Sequence, residues 1–411
     1  MTYPGRLFSF LLMLMAVAAT SAQTTVSGVV ADSKTKQPLS HVSVMAEGTE
    51  VQTVTNEDGR FTLKLSARPS HIRLSHIGYK TRHVSLEGKD LEQLKLMMVS
   101  SAIELNEVVV VSDDPLAIIK AAMSRIESNY PQQDELVRCF YRETARRGSR
   151  FISVAEAVTE MYKSDYSVGP DFDGVAIRKG RRLMSMKASD TLGVKIQGGP
   201  VTPLMVDVAK NRDYLLNTDK LYSYQFHMEM PVKIDDRLHY VVSMTPKPAT
   251  LHALMGGLLY IDQRTLAITR AELQLDVSDW RRASDYMLVQ KPFGLRFRPK
   301  ELSVTVVYQT DEQGVTRMNY VRNVMRFNCD WKRRLFSSPY VTVSEMVVTD
   351  RLKQGREAKR PRGRSSFGIR ERFYDRVDYF DDPDFWADYN IIEPTESLEH
   401  AISRLKKRLS H

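Results

Sequence analysis

The chain has 411 residues, with 59 Lys or Arg against 50 Asp or Glu and a formal net charge of +9. That length leaves room for two or three domains with sizeable cores. Beyond the first 22 residues no apolar run approaches the roughly 20 residues a helix needs to cross a bilayer, which argues against a transmembrane helix in the mature chain.

Arg6 gives the N-terminus a positive start, Leu7 to Ala19 form an uncharged apolar core, and Thr20-Ser21-Ala22 places small residues before Gln23. This is the layout of a cleavable export signal, and its core of about 13 residues is too short to span a bilayer. The expected organisation is a signal peptide over 1–22 and a mature chain from Gln23. No cysteine lies near the cut, so a lipid anchor there is not expected. Export predicts a periplasmic protein, with or without association to the outer membrane, and removes nucleic acid from the expected partners. Cys139 and Cys329 are the two cysteines, both in strand-like runs. In an oxidising compartment they either pair or stay buried thiols, and their spacing does not decide between the two.

From Thr24 onward, short alternating runs follow one another: Val26, Gly28 and Val30; Val42 and Val44; Phe61, Leu63 and Leu65; Ile72 and Leu74; Val84 and Leu86; Leu94, Leu96 and Met98. Such spacing predicts about seven strands in a two-layer β-sandwich. Asn56-Glu57-Asp58-Gly59 is read as a turn, with Gly59 free to take positive φ; it offers too few oxygen ligands for a calcium loop.

The succession SGVVADSKTKQPLSHVSV, TVTNEDGRFTLKL, IRLSHIGYKT and LNEVVVV resembles the carboxypeptidase regulatory-like domain of Gram-negative exported proteins. The resemblance spans about 90 residues. It implies a transthyretin-like Greek-key sandwich over 23–112, best known as the N-terminal extension of TonB-dependent outer-membrane transporters, and it implies no peptidase activity. By the same resemblance Val108 to Val111 form the last strand, added at a sheet edge, and Ser112-Asp113-Asp114-Pro115 marks the boundary.

The remaining segment, 113–411, is too short for a 22-stranded transporter barrel. Asp113 or Asp114 can cap a helix with Pro115 in its first turn, and Leu116, Ile119, Met123 and Ile126 give that helix one apolar stripe to about Asn129. Thr269, Ala271, Leu273, Leu275 and Val277 alternate with Arg270, Glu272, Gln274 and Asp276, and Leu302, Val304, Val306 and Tyr308 repeat the pattern. The runs at 315–329 and 339–350 are long enough to be neighbours. Near the end, Leu398, Ile402, Leu405 and Leu409 recur at helical spacing, with Glu396 and Glu399 first and Arg404 to Arg408 last, matching the helix dipole. The expectation is an α+β unit: a curved antiparallel sheet with terminal helices packed on its apolar face, and a mainly β protein as a whole.

FYRET (140–144), VAEAVTEMYKSDY (154–166), IQGGP (196–200), YIDQRTLAITRAEL (260–273) and DFWADYNIIEP (384–394) resemble a family of exported proteins that carry the same sandwich. No activity comes with that resemblance. In architecture alone the segment is similar to the half-barrel of periplasmic lipoprotein carriers, an analogy that does not fix function.

Between Arg351 and Arg372, nine Lys or Arg stand against Glu357 and Glu371, and the rest of the chain is nearly neutral. This segment is read as a solvated basic loop; its sharper meaning is contact with an anionic lipid surface.

None of the nine histidines begins a zinc-peptidase pattern, and neither a nucleophile elbow nor a phosphate loop occurs. His227-Met228-Glu229 puts His and Glu on one side of a strand, more often a solvent-facing edge than an acid and base. Asp381, Asp382, Asp384 and Asp388 interleave with Phe380, Phe385, Trp386 and Tyr389, read as a loop anchored by its aromatics rather than a calcium or sugar site. Gly198-Gly199-Pro200 and Gly256-Gly257 are read as turns. No catalytic residue, cofactor or metal ligand is assigned. The resulting expectation is a non-enzymatic envelope protein that binds or scaffolds, its curved sheet holding an apolar or extended ligand and its partner an outer-membrane protein or anionic lipid. The alternatives are a hydrolase of envelope peptide or glycan, and an adaptor of a transporter complex that uses the Val108 to Val111 edge for strand addition.

Overall fold

The period-two alternation of the N-terminal stretch becomes seven short strands in two layers. A computed structural model describes residues 23–101, 114–185, 187, 195–196, 198–248, 252–331, 337–369, 371–379 and 384–409. The strands are β1 (Thr24–Asp32), β2 (Ser43–Ala46), β3 (Gln52–Val54), β4 (Arg60–Leu65), β5 (His71–Ser75), β6 (Arg82–Ser85) and β7 (Leu94–Met98). One sheet has the order β4-β1-β7 and the other β3-β2-β5-β6. Val26, Val30, Phe61, Leu63, Ile72 and Leu74 are buried between them. Each such side chain contributes about 1.5–3 kcal/mol relative to exposure. The predicted turn forms as expected: Gly59 sits at φ +72°, and Asn56 Oδ1 accepts from the N–H groups of Asp58 and Arg60, both at 2.9 Å. The predicted export signal and the strand Val108 to Val111 lie outside the described residues.

The second half opens on α1 (Pro115–Ser124), capped by Asp114, whose carboxylate accepts from the Ala117 N–H at 3.0 Å. One continuous helix to Asn129 was expected. Instead Arg125 leaves helical geometry and α2 (Ile126–Asn129) starts afresh. Ile118, Ile119, Ala122 and Ile126 are buried, so the stripe is rotated from the expected one, with Leu116 and Met123 at its margin.

Long strands follow: β8 (Glu135–Arg147), β9 (Arg150–Lys163) and β10 (Gly174–Met184), then short β11 (Lys195–Ile196) and α3 (Thr202–Met205). The meander resumes with β12 (Tyr224–Ile234), β13 (Arg237–Pro246), β14 (Met255–Asp262), β15 (Ile268–Leu275), α4 (Trp280–Met287), β16 (Leu288–Gln290), β17 (Leu295–Thr310), β18 (Thr316–Trp331) and β19 (Ser338–Gln354). Finally come β20 (Ser366–Phe367), β21 (Asp378–Tyr379) and α5 (Glu396–Leu409).

Twelve strands make one curved sheet in the order β12-β13-β14-β15-β17-β18-β19-β8-β9-β10-β20, with β21 also on β10. The meander is broken where the last long strand, β19, returns to pair antiparallel with β8, Val347 opposite Phe140, and again where β20 adds beside β10. The sheet does not close into a barrel. Its β10 edge is covered by β20 and β21, while among the described residues β12 pairs only with β13 and carries Pro231 at a register shift, a feature that blunts strand addition. Gly256-Gly257 is not a turn. Both lie in β14, where Gly257 has φ +142° and a Cβ would sit 2.0 Å from the Glu272 carbonyl oxygen, so the neighbouring strand approaches too closely for a side chain.

The sheet separates two cores. On one face α1, α2, α4 and the 201–223 loop bury Val137, Tyr141, Leu273, Leu302, Val304, Val306 and Tyr308. On the other, Val54 of the sandwich meets Phe140, Val158, Tyr320 and Val347, with Trp386 and Ile392 wedged beside it. The 384–394 segment thereby straps the sandwich to the sheet. Thr53 Oγ1 donates to the Ile391 carbonyl at 2.9 Å, and Lys64 and Asn390 exchange two hydrogen bonds at 2.7 and 3.0 Å.

The basic segment is more ordered than its composition suggested. Arg351, near the end of β19, is held in ion pairs with Glu50 (2.7 Å) and Glu135 (3.5 Å), and Phe367 is buried where β20 joins β10. Lys353, Arg356, Lys359, Arg362 and Arg364 are exposed.

Candidate functional site

Where β9 ends, the chain turns through 164–173 and re-enters the sheet as β10, and the 201–223 loop folds over this turn. The sequence Val206-Asp207-Val208-Ala209-Lys210 places two charges among apolar residues. Val206, Val208 and Ala209 join the core, and Asp207 and Lys210 are drawn in with them, at 0% and 2% exposure.

A buried charge must be matched. Lys163 Nζ donates to Asp207 Oδ2 at 2.5 Å, and the hydroxyls of Tyr166 and Tyr308 donate to Oδ2 and Oδ1, both at 2.8 Å. Lys210 Nζ donates to Asp173 Oδ1 at 2.7 Å, to Ser164 Oγ at 2.9 Å and to the Ser164 carbonyl. Tyr130 stacks on Tyr166 at 4.9 Å and meets Tyr308 edge-on at 5.8 Å.

Burial opposes the charged form of Lys163, but Asp207 and Asp173 outweigh it and raise its pKa. Burial likewise works to raise Asp207, and Lys163 with the two tyrosine hydroxyls reverses this and lowers it. Lys210 is lowered, by burial first and by the neighbouring Lys163 second. Two ammonium groups and two carboxylates balance in charge. Because Lys210 gives its protons to three protein oxygens, it is a latch between two loops rather than a presented nucleophile. Asp173 Oδ2 is buried without a hydrogen-bond partner among the described residues.

Beside this latch lies an open cleft of about 620 Å³. Ser167, Asp171, Asn211, Arg212, Asp213 and Tyr214 contribute to its wall. Donors, acceptors, both signs of charge and one aromatic ring therefore face one space. The inner face of the sheet, by contrast, offers no such room at Leu302, Val304, Val306 and Tyr308, each at most 4% exposed beneath the chain's own helices and loops.

Another buried carboxylate holds the opposite face. Glu156 accepts from Arg142 Nε (2.7 Å), Arg181 Nε (3.0 Å) and Trp386 Nε1 (3.0 Å), and Arg142 also donates to the Ile392 carbonyl at 2.7 Å. Glu143, partly buried on β8, accepts from the Tyr141 hydroxyl at 3.0 Å. Its pKa is raised by burial, against hydrogen bonds from Tyr141, the Gly199 N–H and Tyr374. Gly198-Gly199-Pro200 is thus a turn, as expected, and it serves the chain's own carboxylate.

The residues singled out by sequence are dispersed. His227 and Glu229 are exposed on the edge strand β12. Trp386 is buried and Phe385 and Tyr389 pack around it, while Asp384 and Asp388 stay exposed, the anchored loop that was expected; Phe380, Asp381 and Asp382 lie outside the described residues. Cys139 and Cys329 are free buried thiols, each pushed up to about 12 by burial. Among the described residues no group of three His, Cys, Asp or Glu is placed to hold a metal ion.

Residues 26–110 match the family model of the CarboxypepD_reg-like domain. No curated protein matches the chain. Among solved structures, a DUF1329 family protein from Desulfovibrio piger is similar at 13% identity and a TM-score of 0.23, covering 57% of this chain and 91% of its own. A LolA superfamily protein from Nitrosomonas europaea is similar at 11% identity and a TM-score of 0.19, covering 56% and 94%. A Bacteroides fragilis protein of unknown function is similar at 8% identity and a TM-score of 0.16, covering 80% and 99%.

Proposed function

We propose that the chain is an exported, non-enzymatic binding protein of the cell envelope, in which sandwich and sheet act as one scaffold and the cleft receives a small polar ligand. The observation that carries this reading is the cleft: about 620 Å³, inside the roughly 300–1,000 Å³ of small-molecule sites, with convergent polar groups. The Lys163–Asp207 and Lys210–Asp173 pairs fix both of its loops, so the wall is preorganised and binding need not order it. Mixed charge at Asp171, Arg212 and Asp213 suits a ligand that carries donors and acceptors together, as peptides and glycans of the envelope do.

Thermal denaturation in the presence of soluble peptidoglycan fragments tests the reading. A saturable rise in Tm is expected, because a ligand that binds only the folded chain stabilises it by mass action. Arg212→Ala should abolish the rise while leaving the free protein's Tm nearly unchanged, since the 3.4 Å Arg212–Glu127 pair is exposed and contributes at most about 1 kcal/mol. No response to fragments, or a full response from Arg212→Ala, overturns the proposal. Turnover of the fragments would favour the hydrolase alternative instead.

A further inference from the structure

At the opposite end of the sheet from the cleft, the chain exposes apolar side chains between cations. Helix α4 begins on Asp279, which accepts from the Arg281 N–H at 2.9 Å, and packs Ala283 and Met287 inward. That orientation leaves Trp280 49% exposed, with the Arg281 guanidinium 5.5 Å over its ring. The end of β16, Val289-Gln290, and the turn after it, Lys291-Pro292-Phe293, are exposed throughout; Val289 is 48% exposed and Phe293 98%. In β17, Leu295, Phe297 and Pro299 are buried and Arg296, Arg298 and Lys300 alternate outward. Strand register extends this end of the sheet: Leu295 lies opposite Trp331, Cys329 opposite Ser338, and Tyr340 opposite Arg147 of the β8–β9 hairpin, where Arg147 faces Arg150.

Single exposed apolar residues are ordinary on a protein surface. Three within fourteen residues, interleaved with Arg281 and Lys291 and followed by Arg296, form a pattern of their own. The Phe293 ring is 98% exposed, and an exposed aromatic face suits a soft apolar layer better than burial in a flat protein surface. Trp favours the boundary between headgroups and acyl chains, and Arg and Lys reach from apolar stems to phosphates. Each cation near an anionic bilayer contributes about 1 kcal/mol, and the attraction falls off with salt.

We propose that Trp280, Val289 and Phe293, flanked by Arg281, Lys291 and Arg296, form a foot that docks the protein on a bilayer surface containing anionic phospholipid. The foot lies at the β8–β9 hairpin end of the strands, whereas the cleft lies at the β9–β10 end. Docking therefore holds the cleft away from the membrane.

Cosedimentation of the full chain with phosphatidylcholine vesicles, with and without phosphatidylglycerol, tests this. Binding is expected to the anionic vesicles and to weaken with added salt. Phe293→Ser should weaken it about tenfold, the affinity equivalent of returning one phenyl ring to water. The double variant Arg281→Glu, Lys291→Glu should lose the salt-sensitive component, with circular dichroism unchanged in each case because all three side chains are exposed. Absence of wild-type binding to anionic vesicles overturns the proposal. So does wild-type affinity in Phe293→Ser, particularly if Arg362→Glu, Arg364→Glu abolishes binding, which would move the contact to the basic 351–372 segment.

Discussion

At one end of the twelve-stranded sheet, Lys163 and Lys210 are withdrawn from water and matched by Asp207 and Asp173. At the other, Arg281, Lys291 and Arg296 stand in water beside Trp280 and Phe293. The same residue types thus act in two ways. Buried cations are tied into the fold, where removing a partner is costly; exposed cations contribute little to stability and remain free to meet a partner's charge.

Asp207→Ala breaks the comparison at its most sensitive point. It leaves Lys163 buried without its counter-ion and two tyrosine hydroxyls without their acceptor, an expected cost of roughly 3–5 kcal/mol, measurable as a lowered midpoint of denaturant unfolding. Glu156→Ala should approach this, because Arg142 and Arg181 lose their shared carboxylate and Trp386 its acceptor. Proteolysis of the 384–394 strap, faster than in the wild type, would locate the damage.

The interface between sandwich and sheet is an intermediate setting, and pH should sharpen the contrast there. His76 is lowered to about 4, by burial first and then by Arg270. Burial alone would raise Glu345, but His41 and Arg322, each 3.6 Å away, and the Tyr320 hydroxyl at 2.7 Å hold it at about 2. Both folded-state values lie below the ordinary ones, so the unfolded chain binds protons more readily. The His76 contribution is present above about 6.5 and is lost as pH falls toward 4; that of Glu345 is lost between about 4.5 and 2. His76→Gln should flatten the fall in Tm between pH 6.5 and 4. Smallest of all is the effect of Phe293→Ser on stability, expected within about 0.5 kcal/mol of the wild type.

The sequence exposed these regions unequally. Alternation at Leu273, Val304 and Tyr308 marked the sheet because a half-buried strand repeats every two residues, and Asn56 to Gly59 marked a turn because its backbone needs positive φ. Asp114-Pro115 placed the start of α1, but nothing in its apolar spacing announced the break at Arg125. The paired charges were hidden by distance along the chain: Lys163 and Asp207 are 44 residues apart. An Asp between two valines, at Val206-Asp207-Val208, was the available sign of a charge headed for the interior. The basic run at 351–372 misled in the other direction, since charge density alone does not reveal that Arg351 already has carboxylate partners or that Phe367 has a slot on β10. Phe293 was not singled out by the sequence pattern, because a single aromatic residue in a polar turn does not announce whether it faces the core or solvent.

Hydrogen exchange on the full chain, with and without phosphatidylglycerol-containing vesicles, tests most directly whether the two ends have these separate roles. The account predicts new protection across 280–296 and none at 164–173 or 205–214. Protection confined to 351–372, or appearing over the cleft loops while 280–296 stays unchanged, would contradict it.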